Sequence, residues 1–337
     1  MSVGKSGFTS LCLLIFASGT IQAQSGATVQ TSISGSDQAA ATSAAPNSVY
    51  RILPAATPAA KKLSRNLLTN KKLTAKAALP QAGFYPADLS YHGGPVVTNA
   101  EHDLVYFDCP AGPATCWGNP AVFLKDLNHS VFIHLTDQYV GTSANLRYPV
   151  GGAVAINQSL QTNVLGQNEI LSIVHAGAVK LSVQNSYSNI LHVFLPRGVD
   201  TCFDLTSICY SPDNPSSFFF CAYHGAVWFN DIGHILFTVE PYQNVAGCQV
   251  ATPTPNGDLA DSTASVLSHE TFETITDPDL NAWWSQASLI EWGAEIGDIC
   301  EPIVNSGSQF LDPVFLINGK DYKIQLEYSN KFHACTH

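Results

Sequence analysis

His269, Glu270 and Glu273 stand in the run Ser268-His-Glu-Thr-Phe-Glu273, which holds two candidate cation ligands one helical turn apart and a further carboxylate between them. On a helix, positions i and i+4 share a face. The His269 imidazole and the Glu273 carboxylate can therefore reach one cation, while Glu270 lies beside them to hold a water or a substrate proton. The pattern is the His-Glu-x-x-His helix of zinc peptidases with glutamate replacing the second histidine. Zn²⁺ is the first expectation from that pattern; because glutamate is a harder ligand than histidine, Ca²⁺ or no metal are the alternatives. Downstream, Glu295-Ile-Gly-Asp298 adds a second acidic cluster. Glu295 or Asp298 is the expected third ligand, and the other is a carboxylate that orients the histidine. The competing expectation packs His269 as an ordinary core or helix-face histidine and leaves Glu270 and Glu273 in solvent.

The motif needs a helix, and the residues around it supply one. Over Asp261 to Thr276 the small and apolar residues Ala264, Val266, Leu267 and Ile275 suit a helix, Asp261 or Ser262 can cap it, and Asp277-Pro278 stops it. The whole stretch from Asp258 to Glu301 carries three of the five tryptophans and ten carboxylates. Two further chemistries follow from that composition. Glu270 and Glu295 are a candidate carboxylate pair for glycoside hydrolysis, with Trp283, Trp284 and Trp292 to stack on sugars. Asp277, Asp279 and Asp298 could instead build a structural calcium site.

Strands are expected at Asp103 to Phe107, Ile190 to Leu195, Ala226 to Phe229 and Ile235 to Val239, and helices within Pro120 to Tyr139 and over Glu169 to Leu181. Val314 to Ile317 and Lys323 to Glu327 flank Asn318-Gly319, a strong short hairpin signal. The alternation predicts an α/β fold: a single zincin-like domain with a mixed β-sheet and a motif helix, braced by disulfides.

At the start of the chain, Lys5 precedes an apolar run from Leu11 to Ile21 that ends near Ala23, the pattern of a secretory signal over residues 1–23. The run is too short for a membrane anchor, and no later stretch is long enough. Residues 24–85 are rich in Ala, Ser, Thr and Gln and read as a disordered linker or propeptide, leaving residues 86–337 as the exported domain. Seven of the fifteen basic residues, Arg51 to Lys76, lie in that linker, where their charge would suit an inhibitory prosegment over an acidic cleft. From Ala77 onward there are 25 acidic and 7 basic residues, a formal charge of −18, which disfavours a nucleic-acid partner. Beyond the signal, the even set Cys109, Cys116, Cys202, Cys209, Cys221, Cys248, Cys300 and Cys335 implies disulfides and an extracellular or periplasmic location. Short loops favour Cys109–Cys116, Cys202–Cys209 and Cys221–Cys248, which leaves Cys300 with Cys335.

His92 and His224 are further candidates to line a cleft, each weighed against an ordinary packed or surface role. The chain has no Gly-x-Ser-x-Gly elbow, Walker loop or dinucleotide fingerprint. Tyr91-His-Gly-Gly-Pro95, Asp137-Gln-Tyr139, Thr276-Asp-Pro278 with Asn281-Ala-Trp283, Glu295-Ile-Gly-Asp298 with Cys300, and Tyr328-Ser-Asn330 resemble motifs of the secreted Exordium (phosphate-induced protein) family and its microbial relatives, over residues 90–335. The microbial relatives resemble this chain in a Ser-His-Glu-x-x-Glu helix before Thr-Asp-Pro; the plant members, known for growth signalling, lack the His-Glu pair. The resemblance implies an extracellular protein. The first expectation is a secreted zinc-dependent hydrolase acting on peptide bonds, with His269, Glu273 and Glu295 or Asp298 on the metal and Glu270 as general base. The alternative is a non-catalytic extracellular protein that binds cell-wall polysaccharide or a receptor.

Overall fold

The computed structural model describes residues 51–54, 88–158, 162–203, 207–285, 295–301 and 309–337. The signal segment, Trp292 and most of the expected linker lie outside the described residues.

In chain order the strands are β1 (Arg51–Pro54), β2 (Ser90–Tyr91), β3 (Glu101–Phe107), β4 (Val150–Ile156), β5 (Val164–Leu165), β6 (Asn189–Phe194), β7 (Asp200–Cys202), β8 (Cys209–Tyr210), β9 (Phe220–Phe229) and β10 (Gly233–Glu240), followed by β11 (Trp283–Trp284), β12 (Val314–Ile317), β13 (Lys320–Lys323), β14 (Glu327–Ser329) and β15 (Ala334–Thr336). The helices are α1 (Pro113–Trp117), α2 (Pro120–Asn128), α3 (Asp137–Val140), α4 (Gln167–Leu181) and α5 (Asp258–Thr276), with a 3₁₀ turn over Phe132–Thr136. Six strands make one mixed sheet in the order β1-β9-β10-β6-β3-β4. Neighbours from β4 to β10 run parallel, and β9 is antiparallel to both β10 and β1.

Strand alternation divides the buried residues between two cores. Val105, Leu191, Val193 and Phe237 share one core with Ile170, Ile173, Val174 and Ala178 of α4. Leu104, Ile190, Phe194 and Leu236, at the intervening positions, share the other with Leu267, Phe272 and Ile275 of α5. Each such aliphatic or aromatic burial stabilises the fold by roughly 1.5–3 kcal/mol. The helix α5 therefore lies against the centre of the sheet.

All four expected disulfides form: Cys109–Cys116, Cys202–Cys209, Cys221–Cys248 and Cys300–Cys335. Closing the Cys300–Cys335 loop is worth roughly 3–4 kcal/mol against the unfolded chain and ties the acidic cluster to β15. Asn318 and Gly319, at φ 49 and 82°, make the expected tight hairpin, but its second strand is Lys320–Lys323 rather than Lys323 to Glu327. Both residues of that two-residue turn need positive φ, which fixes the register earlier than a reading by apolar content does. Other departures lie nearer the motif. The helix α5 begins at Asp258 behind Gly257, not at an Asp261 or Ser262 cap. Asp261 points inward instead, and accepts hydrogen bonds from Asn256 N, Asn256 Nδ2 and Lys323 N. β9 extends from Ala226 back to Phe220, and Arg51–Pro54, read as linker, pairs along its edge with Arg51 opposite His224. Among the described residues no helix is long and apolar enough to cross a membrane.

Candidate metal centre

The helix α5 has a Ser- and Thr-rich sequence of modest helix propensity, and every residue from Asp261 to Thr276 is buried, so packing rather than propensity holds it. His269, Glu270 and Glu273 are sealed from solvent, and the expectation of Glu270 and Glu273 in water is overturned. His269 Nε2 lies 3.0 Å from Glu273 Oε1 and 3.8 Å from Asp298 Oδ1. The 3.0 Å contact lacks hydrogen-bond alignment, and neither ring nitrogen of His269 has a hydrogen-bond partner among the described residues.

The loop at Glu295–Glu301 is fixed by backbone bonds. Asp298 N donates to Glu273 Oε1 at 3.2 Å, Glu295 N donates to Asp298 Oδ2 at 3.2 Å, and Tyr328 N donates to Ile296 O at 2.9 Å. Gln325 Nε2 donates to Gly297 O at 2.7 Å. Gly297 is required by close approach, because a Cβ there would lie 2.4 Å from His269 Nδ1. The glycine thus lets the loop press on the imidazole and hold its ring plane.

The sheet contributes from below. His224 of β9 places Nε2 at 3.4 Å from Glu295 Oε2 and 3.6 Å from Glu273 Oε2. The sequence reading weighed His224 as a cleft residue, and the structure brings it into the cluster. His92 is placed elsewhere, exposed and stacked on Trp284 at 3.7 Å between centroids. Strand register sets a polar row on the same face: Thr238 of β10 lies opposite both His224 and His192. His102 Nδ1 meets His192 Nε2 at 2.8 Å, His192 Nδ1 meets Thr238 Oγ1 at 2.9 Å, and Thr238 donates to Glu240 Oε1 at 2.9 Å. A single direction of donation, from His102 towards Glu240, accounts for all three hydrogen bonds and assigns both tautomers, while Glu240 Oε2 is buried without a partner among the described residues. The sequence reading missed Glu240, His192 and Glu327, all of which are buried.

The electrostatics follow from burial among like charges. Desolvation raises the Glu270 carboxyl well above its usual range, reinforced by Glu273 and Glu240. Burial raises Asp298 in the same way, with Glu273 adding to it, and Glu327 likewise. Without a compensating cation these groups would have to bind protons. His102 is pushed down to about 3 by burial, and His192 falls well below its ordinary value through burial and His102. Both rings stay neutral in the fold, whereas in the unfolded chain each binds a proton below about pH 6.5. Their effect on stability is therefore absent above that pH and becomes a loss as pH falls beneath it. Replacing His192 with Gln is expected to make the fall in urea-unfolding free energy between pH 6 and pH 4 shallower, by up to about 1.4 kcal/mol per pH unit. Parallel curves for the two proteins would show that His192 does not stay neutral in the fold.

Two groups of side chains have donor atoms within 4.8 Å of one another: His269, Glu273 and Asp298, and His224, Glu270 and Glu273. Ligands bound to zinc at about 2.0–2.1 Å in a tetrahedron stand about 3.3 Å apart, close to the spacings here. Asp298 Oδ1 and both oxygens of Glu270 are buried without a hydrogen-bond donor among the described residues. Such atoms are costly unless a cation meets them. Nitrogen donors from two histidines suit zinc or a neighbouring transition metal better than calcium, which prefers an all-oxygen shell. The alternative calcium set is also dispersed, since Asp277 Oδ1 accepts from Ala282 N at 2.6 Å and Asp279 Oδ1 meets His234 Nε2 at 2.8 Å. Glu270 and Glu295, the pair considered for glycoside hydrolysis, are both fully buried. Trp283 and Trp284 lie in β11, paired with β2.

The fold and centre define a disulfide-braced α/β protein with a buried histidine–carboxylate cluster between its motif helix and its sheet. No family model, no curated protein and no solved structure matches the chain.

Proposed function

We propose that the protein is an exported zinc-dependent hydrolase acting on peptide bonds. In this reading His269, Glu273 and Asp298 hold the cation, and Glu270 is the general base. The observation that carries it is Glu270: both its oxygens lack a donor among the described residues, the side chain is grouped with His224 and Glu273 as a possible cation ligand, and burial holds the carboxyl basic. Bound zinc supplies Lewis-acid polarisation of a carbonyl and lowers the pKa of a bound water. The chain's own residues do the rest. Glu270 takes the proton of the attacking water and returns it to the leaving amine, Glu295 and Asp298 steady the ligand loop, and Gly297 keeps the His269 ring in plane. The test is cleavage of an unfolded polypeptide, monitored by mass spectrometry. Cleavage should vanish with a chelator and return with added zinc, whereas cleavage that persists in a metal-free sample would contradict the reading.

A second reading is favoured by burial. His269 and Glu270 are 0% exposed and Glu273 and Asp298 only 1%, the closed surroundings typical of a structural metal. In that reading the cation locks α5 to the Cys300 loop of a non-catalytic extracellular module, as the resemblance to Exordium-type proteins suggests. Metal-dependent stability without any peptide cleavage would favour it.

A further inference from the structure

We propose that the centre takes two divalent cations bridged by the Glu273 carboxylate, a reading that rests on the metal site proposed above and adds a second pole to it. Three observations carry it. First, the two oxygens of Glu273 face different partners: Oε1 is 3.0 Å from His269 Nε2, and Oε2 is 3.6 Å from His224 Nε2. Second, the two histidines belong to separate ligand groups that have only Glu273 in common. One pole is His269, Glu273 Oε1 and Asp298 Oδ1; the other is His224 and Glu273 Oε2, with Glu295 Oε2 at 3.4 Å from His224 Nε2 and Glu270 within the same group. A carboxylate bridging in this way suits metals about 3.5–4 Å apart, the spacing of co-catalytic pairs.

Third, the number of buried carboxylates suits more than one cation. Glu240, Glu270, Glu273, Glu295 and Asp298 are all buried, with Glu327 close by, and the rings of His192 and His102 behind Glu240 are neutral. One divalent ion offsets two of these carboxylates, whereas two offset four, leaving protons to be held only at the rim. Both Glu270 oxygens, buried and without donors, are the independent sign of a missing ligand on the second pole. Glu270 can bind that cation through one oxygen and keep the other for a water proton. The pair suits a substrate whose reacting oxygen is clamped between metals, such as a peptide carbonyl or a terminal amide.

Titration of the metal-stripped, disulfide-intact protein with Co²⁺ and then Zn²⁺, read by elemental analysis and paramagnetic resonance, tests the proposal. The expected result is two equivalents bound, with the second Co²⁺ weakening the resonance of the first by coupling through the bridge. His224→Ala and Asp298→Asn should each retain one equivalent, and Glu273→Gln should lose both. One equivalent in the unmodified protein, or a second that leaves the resonance additive, would overturn the bridged pair and leave the single-metal reading standing. No bound metal at all would overturn both. The unmodified protein decides the matter even where a variant does not fold.

Discussion

Chelating the bound cation is expected to lower the melting temperature by roughly 8–16 °C at neutral pH, the largest stability effect the centre should produce. The reason is the density of buried negative charge: Glu270, Glu273, Glu295 and Asp298 are packed between α5 and the sheet, where the imidazoles of His224 and His269 stand within 3.0–3.8 Å of Glu273, Glu295 and Asp298. A cation present at about 1,000 times its dissociation constant stabilises the fold by about 4 kcal/mol. In a domain of this size each kcal/mol moves the midpoint by about 2–4 °C. Removing the ion restores mutual repulsion inside a low-dielectric core, where an unpaired charge costs several kcal/mol. Thermal unfolding followed by circular dichroism, with and without a chelator, measures the shift. An unchanged midpoint in protein that has demonstrably lost its metal would mean that these carboxylates are held by protons instead.

Replacing Glu270 with Gln is expected to reduce peptide cleavage by about 10²–10⁴-fold while the cation at His269 remains bound. The amide keeps the shape of the side chain but cannot accept the proton of an attacking water. Glu273→Gln should differ in kind, because Glu273 touches both histidines and a neutral amide is a poor cation ligand. Activity and metal should then fall together. Stability separates the two roles as well: in the stripped protein burial obliges Glu270 to take up a proton at neutral pH, so Glu270→Gln removes that cost and should raise the melting temperature. A Glu270→Gln protein that holds its metal and cleaves peptides at the original rate would remove Glu270 as the base.

The parts of this centre that were legible in the sequence are local ones. The i, i+4 spacing of His269 and Glu273 fixes a shared face once a helix exists, and the Asn318-Gly319 turn demands a hairpin whatever surrounds it. The cysteine pairing was also legible, because short loops leave few geometric choices. What was not legible depends on contacts between distant strands. His224 sits in Phe220–Gly225, whose Cys, Tyr and His residues interrupt the apolar pattern, so the strand was read from Ala226 on. Gly151 and Gly152 hid β4 in the same way, since glycine carries no strand signal and its pairing with β3 comes from the sheet. Thr238 and Glu240 do leave a trace: they alternate with Phe237 and Val239 along β10, a polar face inside an otherwise apolar run. His192, alone in Asn189–Phe194, leaves the same trace. Glu327 leaves none, because its approach to the cluster is set by the chain folding back after the hairpin. Arg51–Pro54 was hidden by composition, since a four-residue strand in an Ala-rich segment takes its hydrogen bonds from the edge of β9.

The most direct measurement is the metal content of the purified protein by native mass spectrometry, paired with the same measurement on His269→Ala. The account predicts zinc on the intact, four-disulfide protein and its loss or sharp reduction in the variant, whose disulfides and secondary structure are retained. A folded protein that carries no transition metal, and takes up none when zinc is supplied, would contradict it.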